Sequence, residues 1–436
     1  TYWSSPVASQ TLGAFSPNSN PTTFYEWNTS IDNWSFVPGS TAMQKAKGYI
    51  VRAPDIAPFN TVTANIFYGS FAGVPNNGTI TIPLALNGTG SLNLIGNPYP
   101  SAISADLFLS DPSNINIMNG TIYLWTHNTP ITANVYTSND YAVYNYMGGV
   151  GTSAAINNGV NLSIPTGNIA AGVSFFVEGL LANNATFRNT MRLVGVNNQF
   201  FRQNNELSTP LSTASTKHRL WLDITNSQGA FKQALVGYAA DATAGYDRNY
   251  DGAFFDGGNV VGLYSINMDN KFTIQGLPLP FSTDDRVPLG FMTTVAGTFN
   301  ITLSQFDGLF ESQDVFLEDQ YLHVFHNLKS GSYAFTTDIG TFDDRFVLRY
   351  SSEALSTPQF TVSSLVIYKP DSKWIVNSGN TTMKSIRVFD VRGSLLFENK
   401  AINASETSFY AGATNQVLLV QITSTDGAVV TKKVVN

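Results

Sequence analysis

One segment carries oxygen ligands at the spacing of a calcium loop. Asp247–Gly252 reads D-R-N-Y-D-G, which matches the first half of the pattern D-x-[DN]-x-D-G. Ca²⁺ takes about six to eight oxygen ligands, so Asp247, Asn249, Asp251 and the nearby Asp256 would supply part of a shell. An EF-hand is excluded, because a glycine stands where its bidentate glutamate belongs. Ca²⁺ is the only cofactor that the sequence suggests, and the alternative is a turn whose side chains cap their own backbone.

Other reactive groups do not combine into a catalytic set. His323 and His326 have a helical spacing for metal, but Tyr321–Phe325 predicts a strand, where positions three apart face opposite sides. No Gly-x-Ser-x-Gly elbow occurs, and the four histidines nominate no Ser-His-Asp set. The chain contains no cysteine, so disulfides, thiolate metal sites and cysteine nucleophiles are excluded. We therefore expect a protein that is not an enzyme.

Tryptophans are concentrated in the first part of the chain, at positions 3, 27, 34 and 125. On a surface, Trp3, Trp27, Trp34 and Trp125 would form a platform on which sugar rings stack, with surface glycans as partners. Inside the fold they would fill the core of a β-sandwich, as aromatic residues more often do.

Composition favours turn-rich β structure. Only 12% of the 436 residues are charged, about half the usual share of roughly 25%, so Asn, Ser, Thr and Gly must cover much of the surface. The net charge of −7 disfavours nucleic acid as a partner. No apolar run is long enough for a transmembrane helix. The first residues, Thr1–Pro6, contain no leader-like segment. Either a signal peptide has been removed or these residues continue a longer chain, and we expect the second.

Polar stretches divide the chain into three parts. Residues 203–216 and 351–358 are rich in Ser and Thr without apolar periodicity, and they predict linkers. The parts between them are an Asn-rich and aromatic-rich β domain (1–205), a β-sandwich domain (217–352) and a C-terminal domain (361–436). The predicted fold class is all-β, with tandem antiparallel β-sandwich domains that end in a small immunoglobulin-like sandwich.

Strands are indicated by short runs with a period of two. In the clearest run, Leu220, Leu222 and Ile224 would face one side, and Trp221 and Asp223 the other. Residues 361–436 contain seven candidate strands: Ser364–Tyr368, Trp374–Asn377, Ser385–Asp390, Leu395–Glu398, Ser408–Tyr410, Val417–Thr423 and Val429–Val435. Asp390–Gly393 and Ser424–Gly427 predict hairpin turns.

The C-terminal domain has a distinctive pattern. It contains V-F-D-V-R-G at Val388–Gly393, N-Q-V-L-L-V at Asn415–Val420, and an Asp-Gly turn that leads into K-K-V-V-N at Lys432–Asn436. This pattern resembles the C-terminal sorting domain of cargo exported by the type 9 secretion system of Bacteroidetes. The commonest family form has Gly-x-Tyr before the penultimate strand, so this chain resembles a variant subclass, and cleavage or anchoring stays open. Residues 217–352 resemble a β-sandwich domain that often precedes such sorting domains.

The resemblance implies recognition by the type 9 secretion translocon and a PorV-like outer-membrane shuttle barrel, and an extracellular or cell-surface location. The residues implied in contact with these partners lie in two turns and the last two strands: Asp390, Gly393, Gln416, Val417, Leu418, Leu419, Val420, Gly427, Lys432, Lys433, Val434 and Val435. Residues 361–436 hold eight Lys/Arg and five Asp/Glu, a net charge of +3 against −10 for the remainder. This asymmetry favours docking to an acidic partner. The predicted function is an adhesin-like type 9 cargo. The alternatives are a carbohydrate-binding tail of a larger secreted hydrolase and a purely structural spacer.

Overall fold

The chain forms two compact units, Thr1–Ser351 and Ser352–Asn436. The predicted all-β fold is confirmed, since strands in antiparallel sheets dominate both units. Among the described residues, no helix has the length and apolar character needed to cross a bilayer. The computed structural model describes residues 1–60, 65, 67–88, 90–126, 131–132, 135–136, 141–152, 164–197, 217–255, 258–351, 362, 365–370, 372–379, 381–411 and 416–435.

In the described residues, the first half of Thr1–Ser351 contains short strands and two short helices. The helices are α1 (Leu12–Phe15) and α2 (Ala105–Leu109), with 3₁₀ turns at Thr29–Ile31 and Asn189–Met191. The strands are β1 (Tyr2–Trp3), β2 (Phe24–Asn28), β3 (Asn33–Phe36), β4 (Tyr49–Val51), β5 (Ile80–Pro83), β6 (Leu92–Gly96), β7 (Ile103–Ser104), β8 (Met118–Trp125), β9 (Ile131–Thr132), β10 (Val135–Tyr136), β11 (Tyr141–Asn145), β12 (Gly148–Val150), β13 (Asn168–Ile169), β14 (Ser174–Gly179) and β15 (Asn184–Phe187).

The main sheet of this half has the order β12-β11-β8-β14-β6. Side chains alternate across it, as a period of two requires. Phe175 and Val177 of β14 enter a core with Phe108 of α2, whereas Phe176 lies on the opposite face. Both faces of this sheet are therefore covered, which explains the nearly continuous apolar character of β14.

The second half of Thr1–Ser351 forms one long sheet with the order β24-β23-β26-β21-β19-β20-β17-β16-β22-β25, and β18 pairs with β20. Only β17 and β20 among these described pairs run parallel. The strands are β16 (His218–Asn226), β17 (Phe231–Ala239), β18 (Gly252–Ala253), β19 (Val261–Asn267), β20 (Asn270–Pro278), β21 (Arg286–Thr293), β22 (Gly297–Phe306), β23 (Phe316–Asp319), β24 (Val324–Asn327), β25 (Tyr333–Thr337) and β26 (Gly340–Arg349), with 3₁₀ turns at Gly308–Glu311 and Leu328–Ser330.

This long sheet folds over its own core. Phe335 of β25, at one end of the sheet, lies 4.8 Å between ring centroids from Phe346 of β26, near the other end. Leu220, Leu222 and Ile224 all enter this core, which confirms the face predicted for them. The result is two packed layers, as in a β-sandwich.

The side of the long sheet that faces away from its own core packs against the main sheet of the first half. Trp221, Leu235 and Ile274 share one buried cluster with Tyr123 and Met147. The indole Nε1 of Trp221 also donates a hydrogen bond across the junction, to a backbone carbonyl of β12 at 2.8 Å. The described residues of segments 1–205 and 217–351 thus lie in one compact unit, and the predicted linker 203–216 lies outside the described residues.

The C-terminal unit contains two sheets, of order β27-β28-β31 and β30-β29-β32-β33. Their facing sides share a core that includes Trp374, Ile386 and Leu418, so the unit is a sandwich of three and four strands. The seven strands lie close to the predicted positions: β27 (Val366–Tyr368), β28 (Trp374–Asn377), β29 (Met383–Asp390), β30 (Leu395–Asn399), β31 (Glu406–Phe409), β32 (Val417–Ser424) and β33 (Val429–Val435).

Candidate functional site

The last strand, β33, forms an edge of its sheet in the described part of the chain, because its neighbour there is β32 alone. Its two lysines lie on opposite faces. The Nζ of Lys432 donates a hydrogen bond to the carbonyl of Leu365 on the core side, whereas Lys433 is exposed on the other side. Lys433 is therefore available to a partner, and Lys432 is used to hold the sandwich together.

The same alternation divides β32 and β33. Leu418 and Val420 are fully buried in the core, and Val434 packs against that core. Gln416, Val417 and Leu419 are half-buried, and Val435 is 70% exposed. Only about half of the side chains implied as contacts can thus reach a partner while the unit stays folded.

The predicted turn residues shape the hairpins that carry these strands. Asp390 is buried, and its Oδ1 accepts hydrogen bonds from the backbone N–H groups of Arg392 and Ser394, both at 2.9 Å. The pKa of the Asp390 carboxyl is lowered, chiefly by the hydrogen bond from the backbone N–H of Ser394. Gly393 and Gly427 have φ of 84° and 93°, a region that favours glycine. These three residues therefore shape the turns that join β29 to β30 and β32 to β33.

Apolar and basic side chains lie together on the side of the four-stranded sheet that faces away from its core. One row of cross-strand neighbours crosses this outer face from β30 to β33: Leu395, Phe389, Leu419 and Lys433. Beside this row, Val417 is paired with Val435. We call these six residues the outer face. Exposed apolar groups in a contiguous patch mark interaction sites in soluble proteins, so this face is the candidate docking site of the unit.

The calcium-like loop uses its carboxylates within the protein. Asp251 is buried, and its two carboxylate oxygens accept hydrogen bonds from the N–H of Asp247 at 2.7 Å and of Gly276 at 2.9 Å. The carboxylate of Asp247 in turn accepts from the N–H of Thr243. Burial, partly offset by these backbone bonds, raises the pKa of Asp251 to about 6. The geometry matches the alternative reading of a self-capping turn.

The remaining predicted ligands do not complete a shell in the described residues. The carbonyl of Asn249 accepts a hydrogen bond from Tyr146 N at 3.0 Å, and its side-chain oxygen lies only 2.5 Å from where a Cβ on Gly120 would be. Asp256 lies outside the described residues. No group of three or more His, Cys, Asp or Glu that could hold a metal ion is found in the parts of the chain described. Through these contacts with Tyr146 and Gly120, the segment joins the two halves of Thr1–Ser351. The calcium site stays a prediction.

The strand predicted at Tyr321–Phe325 is wrong in its first half. Residues 321–323 form the turn of the β23–β24 hairpin, and His323 has a φ of 54°. Two backbone N–H groups of this turn, those of Tyr321 and Leu322, donate to Asp319 at 3.0 and 3.2 Å. The side chain of Asp319 therefore makes a tight turn more stable than a continued strand. His326 bonds the carbonyl of Gly331 through Nε2 at 2.8 Å.

The tryptophans do not form one platform. Trp3 packs with Phe15 and Phe71 in a separate cluster. Trp27, Trp34 and Trp125 join Tyr2, Tyr141 and Phe176 in a second cluster, which we call the aromatic cluster. Its three tryptophans are half-buried. Their exposure therefore lies between that expected for a surface platform and that expected for the core of a β-sandwich.

A pocket opens within the aromatic cluster. It contains roughly 350 Å³ of empty space, part of it open to solvent. Its lining comes from five strands of the first half and from one residue of the second half: Trp27, Leu92, Tyr123, Tyr141, Phe176 and Phe255. Of these, sequence reasoning singled out only Trp27, because the others converge through pairing between distant strands.

Comparison with known proteins places the chain in a family. The family described as "Domain of unknown function (DUF8693)" matches residues 1–350. The chain belongs to this family. A second family, described as "Domain of unknown function (DUF8694)", matches residues 354–436. The two matched ranges follow the two compact units closely.

Two solved structures have limited similarity to the chain. The "Central Fibronectin-III array of RIM-binding protein" is 10% identical, with 52% of this chain and 89% of that chain covered and a TM-score of 0.15. The "Biofilm associated protein - BSP domain" is 11% identical, with 83% of this chain and 66% of that chain covered and a TM-score of 0.15. No curated protein matches the sequence.

Proposed function

We propose that the protein is a non-enzymatic, adhesin-like β-sandwich protein located outside the cell or on its surface, and exported through a type 9 secretion system. In this proposal the C-terminal unit is the export signal, and Thr1–Ser351 is the passenger. The observation that carries the proposal is the outer face, where exposed Leu395, Lys433 and Val435 adjoin half-buried apolar side chains on one side of a sheet that has β33 at its edge.

Two further observations support a recognition role for the C-terminal unit. It is compact by itself and has its own core, so it can present a preformed surface. Its net charge is also positive, whereas the net charge of the rest of the chain is negative. Complementary charge speeds the encounter with an acidic partner. The proposed partners are the type 9 translocon and its shuttle barrel.

The first experiment is a truncation. A chain that ends at Ser351 should remain in the periplasm of a Bacteroidetes host, whereas residues 352–436 fused to an unrelated periplasmic passenger should carry it outside. Immunoblots of medium, surface and periplasmic fractions measure both. Normal secretion of the truncated chain would refute the proposal.

A matched pair of point variants then tests the face itself. Lys433→Glu places a negative charge on the outer face, and we expect it to reduce export several-fold. Lys373→Glu makes the same charge change at an exposed lysine before β28, in the other sheet, and should leave export unchanged. Equal export of both variants would show that the outer face is not the docking site.

A further inference from the structure

The pocket of the aromatic cluster lies on a sheet face, and its position follows from strand pairing. Phe176 of β14 is directly opposite Tyr123 of β8, and Trp125 of β8 is directly opposite Tyr141 of β11. Side chains of directly paired residues stand close together on the same face of a sheet. Trp27 of β2, Leu92 of β6 and Phe255 from the second half of the unit complete the lining.

The rings around the pocket are steeply inclined to one another. The interplanar angle is 85° between Trp27 and Phe176, 66° between Tyr141 and Phe176, and 89° between Tyr141 and Phe255, with centroids 5.2 to 5.9 Å apart. Rings at these angles pack edge to face against one another, so their planes differ in direction. Because five of the six lining residues are aromatic, aromatic surface borders the pocket on several sides.

Two lining residues, Trp27 and Tyr141, use their polar groups in hydrogen bonds within the protein. Trp27 Nε1 donates to the carbonyl of Leu92 at 2.8 Å, and the hydroxyls of Tyr2 and Tyr141 bond each other at 2.6 Å. A sugar that entered would lose water from its hydroxyls, and each one left without a partner would cost binding energy. The lining is therefore better suited to an apolar or weakly hydrated group than to a sugar.

A carboxylate stands beside the pocket. Glu178 is directly opposite the lining residue Leu92 and two residues from Phe176 on the same strand, so it lies on the pocket face. Its Oε2 accepts a hydrogen bond from Asn119 Nδ2 at 3.0 Å, which fixes the carboxylate in place. The unit Thr1–Ser351 contains 15 Lys/Arg and 24 Asp/Glu, a net charge of −9. Both the local and the overall charge favour a cation.

We propose that this pocket binds a small organic cation of the quaternary ammonium class, with the rings around its methyl groups and Glu178 beside its charge. A quaternary ammonium group is large, has no hydrogen-bond donor and keeps a positive charge, and it is attracted to the faces of aromatic rings. A lining of aromatic rings, the internal hydrogen bonds of Trp27 and Tyr141, and a carboxylate on the same sheet face together match this chemistry. The proposal concerns Thr1–Ser351 and is independent of how the protein is exported.

Calorimetric titration of the full chain tests the proposal with a matched pair of probes. The first is choline, and the second is its neutral carbon isostere, in which a tert-butyl group replaces trimethylammonium. We expect choline to bind at least about tenfold more tightly, because only choline carries the positive charge that ring faces and Glu178 attract. A tenfold difference corresponds to ~1.4 kcal/mol. Equal affinity for the two probes, binding of neither, or tighter binding of a neutral methyl glycoside would each overturn the proposal.

Three variants then locate the site. Glu178→Gln keeps the shape and removes the charge, and Phe255→Leu keeps an apolar side chain and removes the π system. Each should weaken choline binding by about tenfold or more without changing the affinity for the neutral isostere. Tyr68→Ala alters a tyrosine that is 83% exposed and not part of the pocket lining, and it should bind choline normally. Unchanged choline affinity in both pocket variants would overturn the assignment, and circular dichroism checks that they fold.

Discussion

At the scale of single residues, Asp319 is a buried carboxylate with a full set of partners. It is completely buried and accepts hydrogen bonds from Arg345 Nη2 at 2.8 Å, Tyr333 Oη at 3.0 Å and two backbone N–H groups. Burial alone raises the pKa of this carboxyl, but the bonds from Arg345 and Tyr333 outweigh burial, and the pKa is lowered. The charge therefore ties β23, β25 and β26 together.

Removing this carboxylate should destabilise Thr1–Ser351 strongly. We expect Asp319→Ala to lower the free energy of unfolding by about 3–5 kcal/mol, because the guanidinium of Arg345 would stay buried without its partner. Asp338→Ala removes an exposed aspartate in the same sheet region and should change stability by less than ~0.5 kcal/mol. Urea denaturation of both variants makes the comparison. Equal losses would contradict the structural role assigned to Asp319.

The pH dependence of stability from Asp319 has a definite sign. Because its folded-state pKa lies below the usual 3.8, the carboxylate stabilises the fold above that value, and this contribution is lost as the pH falls through the folded-state pKa. Wild type should therefore lose stability on acidification below about pH 4 more steeply than Asp319→Asn. Thermal melts across this range measure the difference, and parallel curves would contradict the linkage.

Asp251 has the opposite sign. Its pKa is raised to about 6, so the folded state holds the proton more tightly, and stability should fall as the pH rises from about 4 to about 6.

Because both carboxylate oxygens of Asp251 already accept backbone N–H bonds, we expect the melting temperature at neutral pH to be the same with Ca²⁺ and with a chelator. A rise in melting temperature that depends on Ca²⁺, and that is absent in Asp251→Asn, would instead establish the calcium site predicted from the sequence.

At the scale of elements, β33 shows how alternation separates structure from recognition. Val430 is 6% exposed and belongs to the sandwich core, whereas its neighbour Val429 is 56% exposed. A strand with one face in the core cannot shift by one residue without turning its apolar set to solvent. The register with β32 is thereby set, and with it the side on which Lys433 stands.

Neighbouring substitutions in β33 test this assignment. Val430→Asp should destabilise the C-terminal unit by about 3–5 kcal/mol, because it buries an unpaired charge. Val429→Asp makes the same chemical change on the exposed side and should cost less than ~1 kcal/mol. Melting of residues 352–436 measures both variants. Similar losses for the two would mean that the strand does not hold this register.

At the scale of the whole molecule, the chain consists of two units rather than three. Trp221, Leu235 and Ile274 form a junction between segments 1–205 and 217–352 and are almost completely buried. Exposing each such side chain would cost about 1.5–3 kcal/mol. The two segments should therefore unfold together.

A pair of tryptophan variants measures this cooperativity. Trp221→Ala should destabilise Thr1–Ser351 by about 3–5 kcal/mol as one transition and leave the C-terminal unit unchanged. Trp374→Ala, in the core of the C-terminal unit, should do the reverse. Differential scanning calorimetry of the full chain resolves both cases. A separate transition for residues 217–351 in the first variant would contradict a shared core.

Much of the strand pattern could be predicted from the sequence, because strand formation depends on neighbours in the chain. The alternation at Leu220–Ile224 and the strands of residues 361–436 were placed within a few residues, and Asp390–Gly393 forms the expected turn. The hairpin turn at Tyr321–His323 was missed, since it depends on where the Asp319 side chain points.

The candidate sites depended more on the tertiary structure. The sequence determined that the chain is all-β and that charge is divided unequally along it. Only the tertiary structure decided that Lys432 serves the fold while Lys433 faces outward. It also brought Trp27, Tyr141 and Phe255 around one pocket. The physical reason is that strand pairing joins residues distant in sequence, and no local pattern records which partners will meet.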